Sequence, residues 1–276
     1  MRIAFVTPTL HTLGPNWRRD PQVIKLAAPT LSGALRSQGY TELRQYDFEL
    51  QVFALEERQP GLLNLHAFFD DEPVDAYMGG EPDTEVGRQV ELILDALEVE
   101  EADLFAFSCA STIGIYADMH AVSNICVALA YGIRKRYPAS KSMLGGMQIS
   151  PDTLQREEYL KLLERCPALD FTAEGPGELA MLQVIAHLTG EESLRESSRV
   201  VRTAGGFHLP RGSGPRARLP KDFAMRDKQL DKKYETPELE APEGTHTRAE
   251  LKNISIRVTP WFDPKNVDLR KIRGGE

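Results

Sequence analysis

Short apolar runs alternate with longer amphipathic segments along the first 190 residues of the chain. The runs have the length of buried strands, and the apolar residues between them recur at helical spacing. The predicted strands are Arg2–Val6, Thr41–Phe48, Asp103–Ser108, Ser142–Gly145 and Asp170–Ala173. The predicted helices are Ala27–Gln38, Val86–Val99, Ile113–Tyr137, Thr153–Cys166 and Glu178–Leu188. Strands joined by helices of this length form a parallel sheet covered on both faces. We therefore predict a doubly wound, mostly parallel, five-stranded α/β fold that closes near Gly190.

One internal region interrupts this alternation. Residues 56–85 are polar and contain Pro and Gly, with an apolar patch between Leu62 and Phe69. Because no clear period runs through it, we predict a long excursion over the sheet with one short helix.

The chain after the sheet has a different character. Residues 1–190 are predicted to form one domain, and residues 191–276 a second segment. Arg199–Thr203 and Phe207–Leu209 flank a Gly-Gly turn, which predicts a hairpin. The residues from Arg211 onward are net basic and rich in Pro, and within them only Leu251–Val258 alternates like a strand. Such a tail is expected to wrap over the acidic body or to link it to something else.

Composition excludes several classes of protein. The formal net charge is −8, which argues against a general nucleic-acid binder, because phosphate contacts require clustered Lys and Arg. No apolar run has the length of a membrane span, and the first residues do not resemble a signal peptide. Cys109, Cys126 and Cys166 are far apart, which favours buried thiols in a reducing cytoplasm over disulfides or a metal cluster.

Small, hydroxyl-bearing and Gly-rich stretches follow four of the predicted strands. They are Thr9-Leu10-His11-Thr12-Leu13-Gly14, Ser108-Cys109-Ala110-Ser111-Thr112, Gly145-Gly146-Met147-Gln148 and Glu174-Gly175-Pro176-Gly177-Glu178. Ligands of open α/β sheets bind at the carboxyl ends of the strands, where these stretches fall. Glycine allows a ligand to approach the backbone closely, and hydroxyls and helix N-termini supply hydrogen-bond donors. The stretches therefore predict a ligand crevice along one edge of the sheet.

The order of these stretches resembles that in cobalamin (vitamin B12)-binding domains. The family's marks are Asp-x-His-x-x-Gly, Ser-x-Leu and Gly-Gly, and here they correspond to Thr9–Gly14, Ser108–Ala110 and Gly145-Gly146. The chain resembles still more closely the variant found N-terminal to radical S-adenosylmethionine domains. That likeness is carried by Ala102–Ser108 (ADLFAFS), Leu144-Gly145-Gly146 and Glu174–Glu178 (EGPGE), and it covers roughly residues 1–190.

The resemblance implies a Rossmann-like, flavodoxin-like fold and a cobalamin cofactor. The residues that would line the cofactor site are Thr9, His11, Gly14, Ser108, Ala110, Ser111, Gly145, Gly146, Met147, Glu174, Gly175 and Gly177. His11 would be the axial cobalt ligand, although Thr9 replaces the carboxylate that usually orients such a histidine. Other roles stay open from the residues themselves: His11 as a turn residue, Ser108 as a helix cap and Glu178 as a first-turn carboxylate.

Radical S-adenosylmethionine chemistry needs a part that this sequence lacks. The three cysteines do not form the C-x-x-x-C-x-x-C group that holds an iron–sulfur cluster. The expected function is therefore a cobalamin module that serves methyl transfer or radical chemistry with a cluster-bearing or methyltransferase partner. The alternative is a non-catalytic interaction module that kept the fold and lost the ligand, with the tail and the Leu62–Phe69 patch holding the partner.

Overall fold

The computed structural model describes residues 1–8, 27–48, 51–109, 119–146, 161–173, 177–190, 201–202, 207–209 and 261–265. Its strands are β1 (Ile3–Thr7), β2 (Leu43–Asp47), β3 (Leu104–Ser108), β4 (Lys141–Gly145), β5 (Phe171–Ala173), β6 (Val201–Arg202) and β7 (Phe207–Leu209). Its helices are α1 (Ala27–Ser37), α2 (Val52–Arg58), α3 (Asp71–Met78), α4 (Glu85–Ala96), α5 (Met119–Arg136), α6 (161–165) and α7 (Gly177–Leu188), with a 3-10 turn at Leu65–Phe68. Among these helices, none is long and apolar enough to cross a membrane.

The strands form one sheet in the order β2-β1-β3-β4-β5-β7-β6. The first five strands along the chain are mutually parallel, which confirms the predicted five-stranded α/β core. β7 pairs parallel with β5, and β6 pairs antiparallel with β7 as a hairpin. The predicted hairpin thus adds to the sheet of the first 190 residues.

Alternate residues of the central strands face two separate apolar layers. Ala4, Val6 and Phe105 pack in the layer that contains α3, α4 and α5. Ile3 and Phe5 pack in the opposite layer, against α1 and α7. Because successive side chains of a strand point to opposite faces, a near-continuous apolar run is what a doubly covered strand requires.

Two helices are each followed by a glycine in the left-handed conformation. Gly39 follows α1 with φ +93° and Gly190 follows α7 with φ +76°. These left-handed conformations are easily reached by glycine, so each glycine stops its helix without backbone strain.

The region between β2 and α4 was only partly anticipated. The predicted excursion with one short helix is confirmed only in part: α3 is a short helix in this region, but the end of α2 and a 3-10 turn lie there too. The physical reason is burial, because Leu65, Phe68 and Val74 insert into the layer beside α4 and α5. The Leu62–Phe69 patch is therefore mostly core, and only Leu62 among its large apolar residues is exposed, at 37%.

Candidate functional site

Three neighbouring strands end in small residues at the carboxyl edge of the sheet. Ser108 of β3 pairs in register with Gly145 of β4, and Gly145 pairs with Ala173 of β5. The Cys109 N–H donates to the Gly145 carbonyl oxygen at 2.8 Å, so β3 and β4 stay joined to their last residues. Ser108, Gly145 and Ala173 therefore form a row of small residues across three strands.

The row begins beside the point where the chain reverses its direction of winding. β1 and β3 are neighbours, with Val6 opposite Phe107, so Thr7 and Ser108 end the two strands at about the same level. Helix α1, which follows β1, packs on one face of the sheet, and α5, which follows β3, packs on the other. A crevice opens between such diverging connections, and in sheets of the order 2-1-3-4-5 ligands bind there.

A side chain at Gly145 would meet only ordinary contacts among the described residues. A Cβ built on Gly145 would lie 3.5 Å from the Ala173 Cβ and 3.6 Å from the Ala173 carbonyl oxygen, which are ordinary contacts. Packing among the described residues therefore does not demand glycine at this position. Gly146 is different, because its φ of +81° is a conformation that favours glycine.

Gly177 has a packing explanation. A Cβ on this residue would lie 3.0 Å from Cδ2 of Leu31, so the glycine lets the start of α7 approach α1 closely. Its neighbour Glu178 lies in the first turn of α7.

The structure brings together only part of the predicted site. Ser108, Gly145 and Gly146 lie at the carboxyl edge, and Gly177 begins the helix that follows β5. The other predicted site residues lie outside the described residues: Thr9, His11, Gly14, Ala110, Ser111, Met147, Glu174 and Gly175.

Two of the three thiols lie directly behind this edge. Cys109 and Cys126 are free and fully buried, as the sequence suggested, and Cys166 is also buried. Burial raises the pKa of Cys126 well above its usual range, and a hydrogen bond with Cys109 adds to this effect. Protonated, buried thiols are poor nucleophiles and poor metal ligands. In the part of the chain that the structure describes, no group of three or more His, Cys, Asp or Glu side chains is placed to hold a metal ion.

The sequence did not predict a cavity that lies at the amino-terminal ends of the strands. It has a volume of about 370 Å³ and is lined by residues that include Asp103, Ser140, Lys141 and Thr189. Its polar groups already have partners: Asp103 accepts from the Arg2 N–H, and the Ser140 hydroxyl donates to the Ala102 carbonyl. The lining comes from four separate stretches of sequence, so no motif spacing announces it.

Comparison with known proteins gives no relative. The chain matches no family model, no curated protein and no solved structure. The class that fold and site define is therefore an open parallel α/β protein with small residues along the carboxyl edge of its sheet.

Proposed function

We propose that this chain is a cobalamin-binding module whose ligand lies along the carboxyl edge of the sheet. The observation that carries the proposal is the row formed by Ser108, Gly145 and Ala173, beside the β1–β3 switch point. A broad, flat macrocycle with an extended tail needs several neighbouring strand ends free of bulky side chains. Gly145 supports this choice, because packing among the described residues does not demand glycine there.

Two features of the described residues support a corrinoid ligand. Ser108 is half-buried at the strand end, where its hydroxyl is available to hydrogen-bond the polar tail of the ligand. Gly145 and Gly146 let the tail approach the backbone. When bound, the cobalt corrinoid supplies the methyl-transfer or radical chemistry, and the protein binds, shields and orients it. His11, by the family resemblance, is the axial ligand in this proposal.

The proposed partner is a cluster-bearing radical S-adenosylmethionine or methyltransferase protein. The sequence contains three cysteines, and all three are buried and free, so none is available to ligate an iron–sulfur cluster. Three reduced thiols also suit the cytoplasm, where we place the module.

An interaction module without a ligand is the competing function. Its docking surface was expected to include the Leu62–Phe69 patch, but Leu65 and Phe68 of that patch are buried in the core. This leaves the proposed partner surface much smaller than the sequence suggested, which favours the corrinoid module.

A pair of substitutions at one position tests where the ligand lies. The methyl group of Gly145→Ala would make only ordinary contacts with Ala173. Gly145→Leu would instead place a bulky side chain at the strand end, where the proposal puts the ligand. We expect Gly145→Ala to bind hydroxocobalamin within about threefold of the unmodified chain. We expect Gly145→Leu to weaken binding by at least about tenfold, which corresponds to about 1.4 kcal/mol.

The titration is followed by the visible absorption of the corrinoid, with circular dichroism to confirm that each variant stays folded. Equal affinity of the leucine and alanine variants would overturn the proposed position of the ligand. Failure of the unmodified chain to bind would overturn the function itself.

A further inference from the structure

One side of helix α1 is in contact with residues 261–265, which lie far away in the sequence. The Trp261 N–H donates to the Pro29 carbonyl oxygen at 3.0 Å, and the Arg36 guanidinium lies 4.7 Å from the centre of the Trp261 ring. Ser32 lies between these two residues of α1, at helical spacing from both. The three residues therefore form one stripe along two turns of the helix.

Gln45, in the middle of β2, joins this stripe to residues 261–265. Its Nε2 donates to the Ser32 hydroxyl and to the Trp261 carbonyl oxygen, each at 2.7 Å. Its backbone N–H donates to the Asp263 Oδ2 at 3.2 Å, and its Oε1 accepts from the Asp263 N–H at 3.2 Å. One polar cluster thus connects α1, β2 and residues 261–265.

The cluster is buried, so its members depend on one another. Ser32, Gln45 and Asp263 are each at most 2% exposed. Water does not replace a hydrogen-bond partner that such a group loses. The ion pair between Lys265 and Glu100 is different, because both side chains are about half exposed and such pairs contribute little. The buried cluster is therefore what holds residues 261–265 against α1 and β2.

Helix α1 borders the crevice beside the β1–β3 switch point, because it follows β1 in the chain and packs on one face of the sheet. Two other sides of the helix are already in contact with the core. Leu31 lies against Gly177 of α7, and Ala34 and Leu35 pack in the layer next to the sheet. The contacts with residues 261–265 add a third side, so they limit movement of α1 away from β2.

We propose that residues 261–265 are a positioning element of the ligand site: they fasten α1 to β2 and so fix one wall of the crevice. The fastening is supported by the contacts above, whereas its effect on a ligand rests on the proposed function. The proposal also extends the ligand-binding unit beyond the first 190 residues, because Asp263 is part of its buried polar cluster.

Hydrogen exchange in the unmodified, full-length chain, followed by NMR, is the first test. The Trp261 and Asp263 amides donate to acceptors in α1 and β2. We expect these two amides to exchange within about tenfold of the amides of α1, since groups that open together exchange together. Exchange of both amides at the rate of an unstructured chain would overturn the proposal.

Three variants of the full-length chain test what the fastening does to α1. Asp263→Ala removes the acceptor of the Gln45 N–H, Gln45→Met removes the side-chain hydrogen bonds at similar length, and Lys265→Ala, which removes only the exposed ion pair, is the control. We expect the first two to speed exchange of the α1 amides at least about tenfold and to change the α4 amides by less than about twofold. Unchanged α1 amides in both variants, or α1 and α4 amides that speed up equally, would contradict the fastening.

The effect on the ligand is measured as the dissociation constant of hydroxocobalamin. We expect Asp263→Ala to raise it at least about fivefold and Lys265→Ala to leave it within about twofold of the unmodified chain. Equal affinity in an Asp263→Ala protein whose α1 amides exchange faster would overturn the positioning role. An unmodified chain that binds no corrinoid would instead overturn the proposed function, and the exchange measurements would still decide whether residues 261–265 fasten α1.

Discussion

At the scale of single residues, the packing of two helices requires glycine at position 132. It lies in α5, and a Cβ there would come 2.4 Å from Cγ1 of Val90 and 3.1 Å from the Tyr77 hydroxyl oxygen. Val90 is fully buried and β-branched, so it has little freedom to move away. The close approach of α4 and α5 therefore depends on the missing side chain.

Gly132→Ala should destabilise the protein although alanine favours helices. Overpacking costs about 1–3 kcal/mol, and the gain in helix propensity returns about 1 kcal/mol. We expect a net loss of up to about 2 kcal/mol in the free energy of unfolding, measured by urea denaturation. Gly145→Ala is the control and should not lower stability, because the added Cβ would make only ordinary contacts among the described residues. Equal effects of the two variants would contradict this explanation of Gly132.

Cys166 makes stability depend on pH in the alkaline range. Burial raises the pKa of its thiol to about 11, and the Sγ lies 3.5 Å from the Val127 carbonyl oxygen, to which it donates. An unfolded cysteine has a pKa of about 8.5. The pKa of Cys166 is higher in the folded protein than in the unfolded chain. The stability that the protonated thiol contributes is therefore fully present below about pH 8.5 and is lost as pH rises towards about 11.

The expected loss from Cys166 is about 1 kcal/mol between pH 7.5 and 9.5. It is measured as the difference between the unmodified chain and Cys166→Ala in urea unfolding at both pH values. The alanine variant is less stable throughout, but its stability should fall less steeply with pH. Parallel pH profiles for the two proteins would show that the buried thiol does not titrate as described.

At the scale of elements, hydrophobic patterning identified the strands and helices that alternate along the core. It did not identify elements whose position depends on a few tertiary contacts. The apolar run Asp103–Ser108 identified β3 within one residue. A strand that is covered on both faces buries successive side chains, so its sequence is apolar almost throughout. The positions of the 3-10 turn and α3 were not predicted, because they depend on the packing of Phe68 and Val74 against α4 and α5. Local sequence does not contain that information.

Arg165 connects helix α6 to two neighbouring helices. Arg165 donates to the Asn124 Oδ1 at 2.6 Å and forms ion pairs with Asp71 and Asp75. Asn124 is fully buried, so removing Arg165 takes a hydrogen bond from a buried oxygen. Arg165→Met should therefore cost about 1–3 kcal/mol in the free energy of unfolding.

The matched control for this prediction is Arg88→Met. Arg88 pairs with Glu85 one turn away, and both side chains are substantially exposed. Such pairs contribute about 0.5 kcal/mol or less. Thermal or urea unfolding of both variants compares the two arginines, and a similar small loss for each would mean that Arg165 does not connect α6 to the core.

At the scale of the whole molecule, small residues end three strands at the carboxyl edge of the sheet, and residues 261–265 cover the outer side of β2. Ser108 and Gly145 were predicted to lie along one ligand crevice, and the register between the parallel strands places them side by side. Residues 261–265 were expected only to belong to a tail that wraps over the acidic body or links it to something else. The contact between Gln45 and Asp263 joins residues 218 apart, and no periodicity encodes such a pair.

Retention of a corrinoid by the unmodified chain is the most direct measurement of the proposed function. The purified protein is mixed with hydroxocobalamin, passed through a desalting column and examined by visible absorption. We expect the corrinoid spectrum to elute with the protein in a ratio near one to one, because the proposed site holds one corrinoid per chain. Protein that elutes folded and colourless would contradict the assignment of this edge as a cobalamin site.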